Sequence, residues 1–453
     1  MRVTIDIPDR LLHQLLDGVP IPRLARIRYS LQTAPAIRDV ERHVTEELRR
    51  PDIRALVKPG ERIAIGVGSR GVAKLAEMTA SLVRELKAIG AQPFVVPAMG
   101  SHGGASADGQ REVLAHLGVT EERVGCPIMS DMTTVEVGRT EDGISVKLDK
   151  HALAADGIVF IARVKPHTAF RGTYESGLAK MIAIGLGKQS GAAACHAAGF
   201  GDMARRVPAL ARVALEKSSI RFGIATLENA HDEPFKIVAV PAGRILADEP
   251  ALLDEAKAMM PSLPFDEIDV LVIDQIGKNV SGDGADPNIT GRYPTEFATG
   301  GPRVAKHVVL DLTDETDGNA NGIGTAHFTT VRALQKMDLG STYPNGLTST
   351  VVGPVAIPMT LPSDRLALAA ALLTCNAVGR EPRLVRIANT LRLDEFAVSE
   401  SLLEDVRRDQ RLEIVAGPDD APFDGDGNLT DLGLPKLAST AAARELEPVA
   451  AGD

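Results

Sequence analysis

RIAIGVGSRGVAKLAEMTASLVRELKAIGAQPFVVPAMGSHGG, residues 62–104, decides the fold class. Arg62 to Val67 is a short, unbroken apolar run, the mark of a strand buried on both faces. Val72 to Ile89 reads as an amphipathic helix, and Pro93 to Pro97 is a second apolar run. Strand, helix, strand in one stretch is a single crossover of a parallel sheet.

The pattern continues outward. Gln110 to Leu117 reads as the next helix, and Gly157 to Ala162, Phe222 to Leu227 and Lys236 to Val240 as further strands. PSLPFD, Pro261 to Asp266, is a loop ahead of the apolar strand Ile268 to Ile273, and the domain boundary is placed there. Beyond it the expected elements are a strand at Val308 to Leu312, helices from about Thr325 to Met337 and from Ser363 to Leu373, and a hairpin-like end near Leu412 to Val415. The fold expected is α/β: two α/β domains with largely parallel sheets and an active-site cleft between them. Residues 1–266 form the first domain and 267–416 the second, while 417–453 is a tail that is mobile or packs back on the first.

With 453 residues, 44% hydrophobic and 24% charged, the chain has the composition of a folded globular protein of two or three domains. A net charge of −10 without a dense Lys/Arg patch argues against a nucleic-acid partner and makes small-molecule chemistry the default. Met1 to Arg10 has charges but no apolar core, so no signal peptide is expected. The longest apolar run, Leu366 to Val378, is too short to cross a membrane. Cys126, Cys195 and Cys375 are odd in number and widely spaced, fitting a reducing, cytoplasmic setting. A homo-oligomer is compatible with all of this.

Polar residues follow the strands. Arg70 comes after the strand ending at Val67, His102 after Pro97, His167 after Ala162, and Gln275 and Lys278 after Ile273. Ligands of open α/β sheets bind outside the carboxyl ends of strands, so these four ends are expected at one edge, facing one cleft. Arginine, lysine and an amide suit a carboxylate, and two histidines suit proton exchange on two faces of a substrate. That set fits inversion of a carbon beside a carboxylate. It lacks an electron sink for removing hydrogen from an unactivated carbon, which a cofactor must supply.

ESGLAKMIAIGLGKQSGAAACHAAG, residues 175–199, places Lys180 and His196 sixteen residues apart among small residues. With the residues above, it resembles the nickel-pincer lactate racemase family, closely over about residues 60–280. The resemblance implies that Lys180 carries, covalently, the nickel-pincer nucleotide, a pyridinium-3-thioamide-5-thiocarboxylic acid mononucleotide with nickel, and that His196 ligates the metal. It makes His102 and His167 the catalytic acid/base pair. Arg70, with Gln275 and Lys278 in their Gln-x-x-Lys spacing, becomes the substrate-carboxylate group. The implied activity is an isomerase, a racemase or epimerase of a 2-hydroxy acid working by reversible hydride transfer. Enzymes that synthesise the cofactor are the implied partners.

Gly177, Ala179, Gly185, Gly187, Gly191 and Ala192 are then expected to leave room for the planar group. Two departures concern the substrate: the family's Asp-x-Thr-Arg-Pro is Val67-Gly68-Ser69-Arg70-Gly71 here, and there is no tryptophan. Both favour a 2-hydroxy acid other than lactate.

Other readings remain open at this point. His102, His167 and His196 could bind zinc in a hydrolase, or the protein could bind an anion without a cofactor. IGLGKQSG has the wrong spacing for a phosphate loop. DLTDETDGNANGIG, residues 311–324, is either a divalent-ion loop or, as expected, a solvated turn. SGDGADPN, residues 281–288, reads as a connection closing over the cleft.

Overall fold

The computed structural model describes residues 7, 9–69, 71–197, 199–430 and 433–434. They form two compact units: Gln32–Met260, and the described residues up to Leu31 together with those from Pro261 onward.

The unit Gln32–Met260 is built on a five-stranded sheet in the order Gln92–Pro97, Arg62–Val67, Gly157–Arg163, Ile220–Glu228, Pro234–Pro241. The first four strands run parallel, and only the last pairing is antiparallel. Helices and loops cover both faces, which is why Arg62–Val67 and Gln92–Pro97 are buried at every position but the first. The helix Leu75–Ala88 buries Met78, Leu82 and Leu86 against Ile63 and Ile65 of the sheet and Val40, Val44 and Leu48 of the helix Val40–Arg49. A separate antiparallel pair, Thr134–Arg139 with Ser145–Asp149, completes the unit. Parallel strands put their carboxyl ends at one edge, so the loops at Gly68, Ala98 and Val164 open on the same side.

The other unit holds an eight-stranded sheet in the order Met359–Leu361, Phe328–Thr330, Arg303–Leu312, Glu267–Ile276, Leu384–Ile387, Glu395–Ser399, Leu24–Tyr29, Leu412–Asp419. Its first five strands are parallel and the rest antiparallel. The helix Asp364–Thr374 is apolar nearly all round because it packs on Val270, Val272, Val308 and Leu310. Both units are α/β, as expected. Among the described residues, no helix is long and apolar enough to cross a membrane.

Several elements differ from the sequence reading. Leu24–Tyr29 belongs to the eight-stranded sheet, so the chain enters one unit before building the other. Leu412–Asp419 is its edge partner and not half of a local hairpin. The helix expected from Thr325 begins at Val331, because Phe328–Thr330 is a short buried strand and the Thr330 hydroxyl caps the helix at Ala333 N, 3.1 Å. Of the tail, residues to 430 fold onto the helix Asp364–Thr374 through Arg365 N to Gly427 O, 2.9 Å, and Leu429 N to Asp364 Oδ2, 2.8 Å. The four strand ends also divide: three belong to the five-stranded sheet, but Glu267–Ile276, which precedes Lys278, belongs to the eight-stranded one.

Candidate functional site

Lys180 ends a short helix, Leu178–Lys180, that begins on a buried carboxylate. Glu249 Oε2 accepts the Ala179 amide at 2.8 Å, and the side chain is 1% exposed. Burial pushes the Glu249 carboxyl up to about 7, partly opposed by the amides of Ala179 and Leu178. A Cβ on Gly177 would run into that carboxylate, which explains the glycine. A π-turn, Met181–Gly185, follows, and then the helix Lys188–His196. Such turns are rare and concentrate at functional sites. Arg206 Nη1 holds the far end of that helix, donating to Ala194 O at 3.0 Å and Cys195 O at 3.4 Å.

The small residues here serve close packing, not vacant space. A Cβ on Gly185 would lie 2.8 Å from Ala98 O, and one on Gly187 2.6 Å from Ala183 O. The expectation that these glycines leave room for a planar group is therefore corrected: the chain itself fills them.

His167, Lys180 and His196 share one neighbourhood. Phe200 packs near both histidines, its ring centroid 6.2 Å from His167 and 5.1 Å from His196, while the Phe170 ring lies tilted against His167 at 4.4 Å. Burial, reinforced by the Lys180 ammonium, pushes His196 down to about 4. Burial first, then Lys180 and other cations, holds His167 well below the usual imidazole range. Both rings are therefore neutral at pH 7. His196 Nδ1 is buried with no hydrogen-bond partner, an orphan of the kind that a metal would satisfy. His167 Nδ1 accepts the Ala169 amide at 3.0 Å, so the neutral ring carries its proton on Nε2. Glu175, 0% exposed, fixes the loop by accepting the His167 amide at 2.7 Å. Neighbouring Cys195 is a buried thiol raised by burial to about 12, unsuited to act as a nucleophile or ligand.

His102 follows the strand Gln92–Pro97 and is exposed, with Nδ1 on the Ser69 hydroxyl. Beneath it lies a polar cluster that the sequence did not reveal. Lys188, 0% exposed and at φ +54°, places Nζ 2.6 Å from Pro97 O, 3.2 Å from Gln110 Oε1 and 3.1 Å from Asp149 Oδ2. Burial lowers the lysine despite Asp149.

Arg70 lies outside the described residues. Of the described residues after it, Ala73 N donates to Glu228 Oε1 at 2.7 Å and Gly71 O accepts from Arg163 Nη1 at 3.0 Å. Gln275 and Lys278 belong to the other unit. Gln275 N donates to Ala388 O at 3.0 Å, and Lys278 Nζ to Gly282 O at 2.6 Å. That unit has a cavity of about 650 Å³ lined by Arg292, Tyr293, Glu296 and glycine-rich backbone.

Among the described residues, no group of three or more His, Cys, Asp or Glu could hold a metal ion. His102, His167 and His196 are all described, so the three-histidine zinc site is not formed. Asp311 and Asp314 are engaged by Lys336 at 3.0 and 3.1 Å, which makes residues 311–324 an ion-paired turn. The 281–288 segment is tied down by Asn321 Nδ2 to Gly282 O, 2.9 Å, and Asp286 N to Thr390 Oγ1, 3.0 Å.

Residues 20–207 match the family model of the lactate racemase N-terminal domain. The match covers less than half of the chain. His102, His167, Lys180 and His196 lie inside the matched span, and Gln275 and Lys278 after it. No curated protein matches the chain. Among solved structures it is similar to the lactate racemase apoprotein from Thermoanaerobacterium thermosaccharolyticum, with 11% identity and a TM-score of 0.49 over 86% of this chain and 96% of that one.

Proposed function

We propose that the protein is an isomerase, a racemase or epimerase of a 2-hydroxy acid. The observation that carries this reading lies inside the span that matches the lactate racemase N-terminal domain model. There, the buried, unpartnered Nδ1 of His196 and the neutral ring of His167 lie within electrostatic reach of Lys180. Lys180 would hold a nickel-pincer nucleotide covalently and His196 its nickel, supplied by cofactor-synthesis partners. Bound there, the group supplies a reversible hydride acceptor.

The chain's own residues do the rest. Arg70, Gln275 and Lys278 bind the carboxylate by charge-assisted hydrogen bonds. His102 and His167 exchange the C2 hydroxyl proton from opposite faces, one for each enantiomer. As arranged, His167 presents Nε2–H and is set to donate to a substrate oxygen; to take up a proton it must release the Ala169 amide from Nδ1.

Single-turnover formation of 2-keto acid from each pure enantiomer tests this reading. His102→Ala and His167→Ala should each nearly stop racemisation, since losing a positioned base costs about a hundred- to ten-thousandfold. Each should still oxidise one enantiomer, and the enantiomers should differ. Near-normal racemisation in either variant would defeat the assignment.

A further inference from the structure

Lys188 and Gln110 stand out because both are polar, both are 0% exposed, and neither has a part in the chemistry above. Gln110 sits in the helix Ala107–His116, just past the loop that carries His102. Its Nε2 donates to Gly100 O at 2.9 Å and His102 O at 3.2 Å, so one amide grips the loop at two carbonyls. Its Oε1 accepts from Lys188 Nζ, which also binds Pro97 O, the last carbonyl of the strand leading into that loop. Asp149 Oδ2 holds the ammonium from the third side. Lys188 opens the helix that ends at His196, eight residues after Lys180 and eight before His196. A second tie runs the same way, from Gly100 N to Gly185 O at 3.4 Å.

We propose that Lys188 and Gln110 are positioning residues for His102, tying the loop that presents its imidazole to the segment that carries Lys180 and His196. A buried lysine is an expensive way to fill a core. At this place it does what an apolar residue cannot: it orients the amide of Gln110 with Oε1 inward, so that both Nε2 hydrogens face the loop carbonyls. His167 is held separately, through Glu175 and Ala169. The device therefore acts on one histidine of the pair. This inference rests on the catalytic roles proposed above for its kinetic consequence, but not for its structural one.

Gln110→Glu is the sharpest test. It is nearly isosteric and keeps an acceptor for Lys188, but replaces the two donors to the loop with a carboxylate oxygen. Amide hydrogen exchange of the full-length chain should quicken about tenfold over residues 98–105, where loop hydrogen bonds are released, and change less than about twofold over 165–172. Lys188→Met is the second variant; because it also destabilises the whole unit, exchange should quicken in both regions but more over 98–105 than over 165–172. In single turnovers, Gln110→Glu should slow, by about tenfold or more, only the enantiomer that His102→Ala cannot oxidise. Equal slowing of both enantiomers, or unchanged exchange over 98–105, would overturn the proposal. If the two histidine variants themselves show no enantiomer difference, the functional reading falls, and the exchange pattern alone decides this one.

Discussion

Replacing Lys188 by methionine should destabilise the unit Gln32–Met260 more than almost any other single truncation of a polar residue. The ammonium leaves, but Asp149, 0% exposed, stays. The remaining carboxylate keeps two good partners, since its Oδ1 accepts His151 N at 2.8 Å and Ala152 N at 2.9 Å as the cap of the helix Lys150–Leu153. Oδ2 loses its counter-ion, and Pro97 O and Gln110 Oε1 lose their donor. Breaking one side of a buried pair costs about 3–5 kcal/mol. Asp149→Asn in the Lys188→Met background removes the stranded charge yet keeps a good capping side chain, leaving mainly the two orphaned acceptors. The double variant should therefore recover about 2 kcal/mol over Lys188→Met. Denaturant unfolding followed by far-ultraviolet circular dichroism measures all three proteins. A Lys188→Met loss below about 1 kcal/mol, or a double variant less stable than the single, would refute the assignment of a buried, charged pair.

Two further outcomes follow from the same physics. His307, 4% exposed, is pushed by burial down to about 3, so between that value and about 6.5 the unfolded chain binds a proton that the folded one does not. Its contribution is intact above pH 6.5 and is lost as pH falls, about 2–3 kcal/mol by pH 4.5, and His307→Gln should flatten that slope in acid unfolding titrations. His196→Ala should permit covalent loading at Lys180 but release nickel on dialysis; Arg206→Ala, which frees the carbonyls of Ala194 and Cys195, should release it more slowly, with metal analysis as the readout. Full nickel retention in His196→Ala would remove that residue from the metal site.

The strands around Gly66, Val95 and Phe160 were legible because parallel strands buried on both faces read as unbroken apolar runs. LARIRY, residues 24–29, was not, because its two arginines break the run and its partners lie near residues 395 and 412. TVEVGR, residues 134–139, is an exposed or half-buried strand with little apolar signal. Within the site, His167, Lys180 and His196 were singled out by the family resemblance, and Lys180 lies within electrostatic reach of both histidines, whereas Phe200 and Glu249 were not found, since only the fold brings Glu249 seventy residues back to Ala179. Lys188 stands in IGLGKQSG, a stretch whose spacing does not fit a phosphate loop. Its burial depends on Asp149, Gln110 and Pro97, three positions that no local pattern connects.

The central claim is that Lys180 is the attachment point of a nickel-bearing group. Intact-mass measurement of the protein from a host that makes the nickel-pincer cofactor, followed by peptide mapping, tests it most directly. The account predicts one adduct, confined to the peptide containing Lys180 and abolished by Lys180→Ala. An unmodified chain from that host, or an adduct that persists in Lys180→Ala, would contradict it.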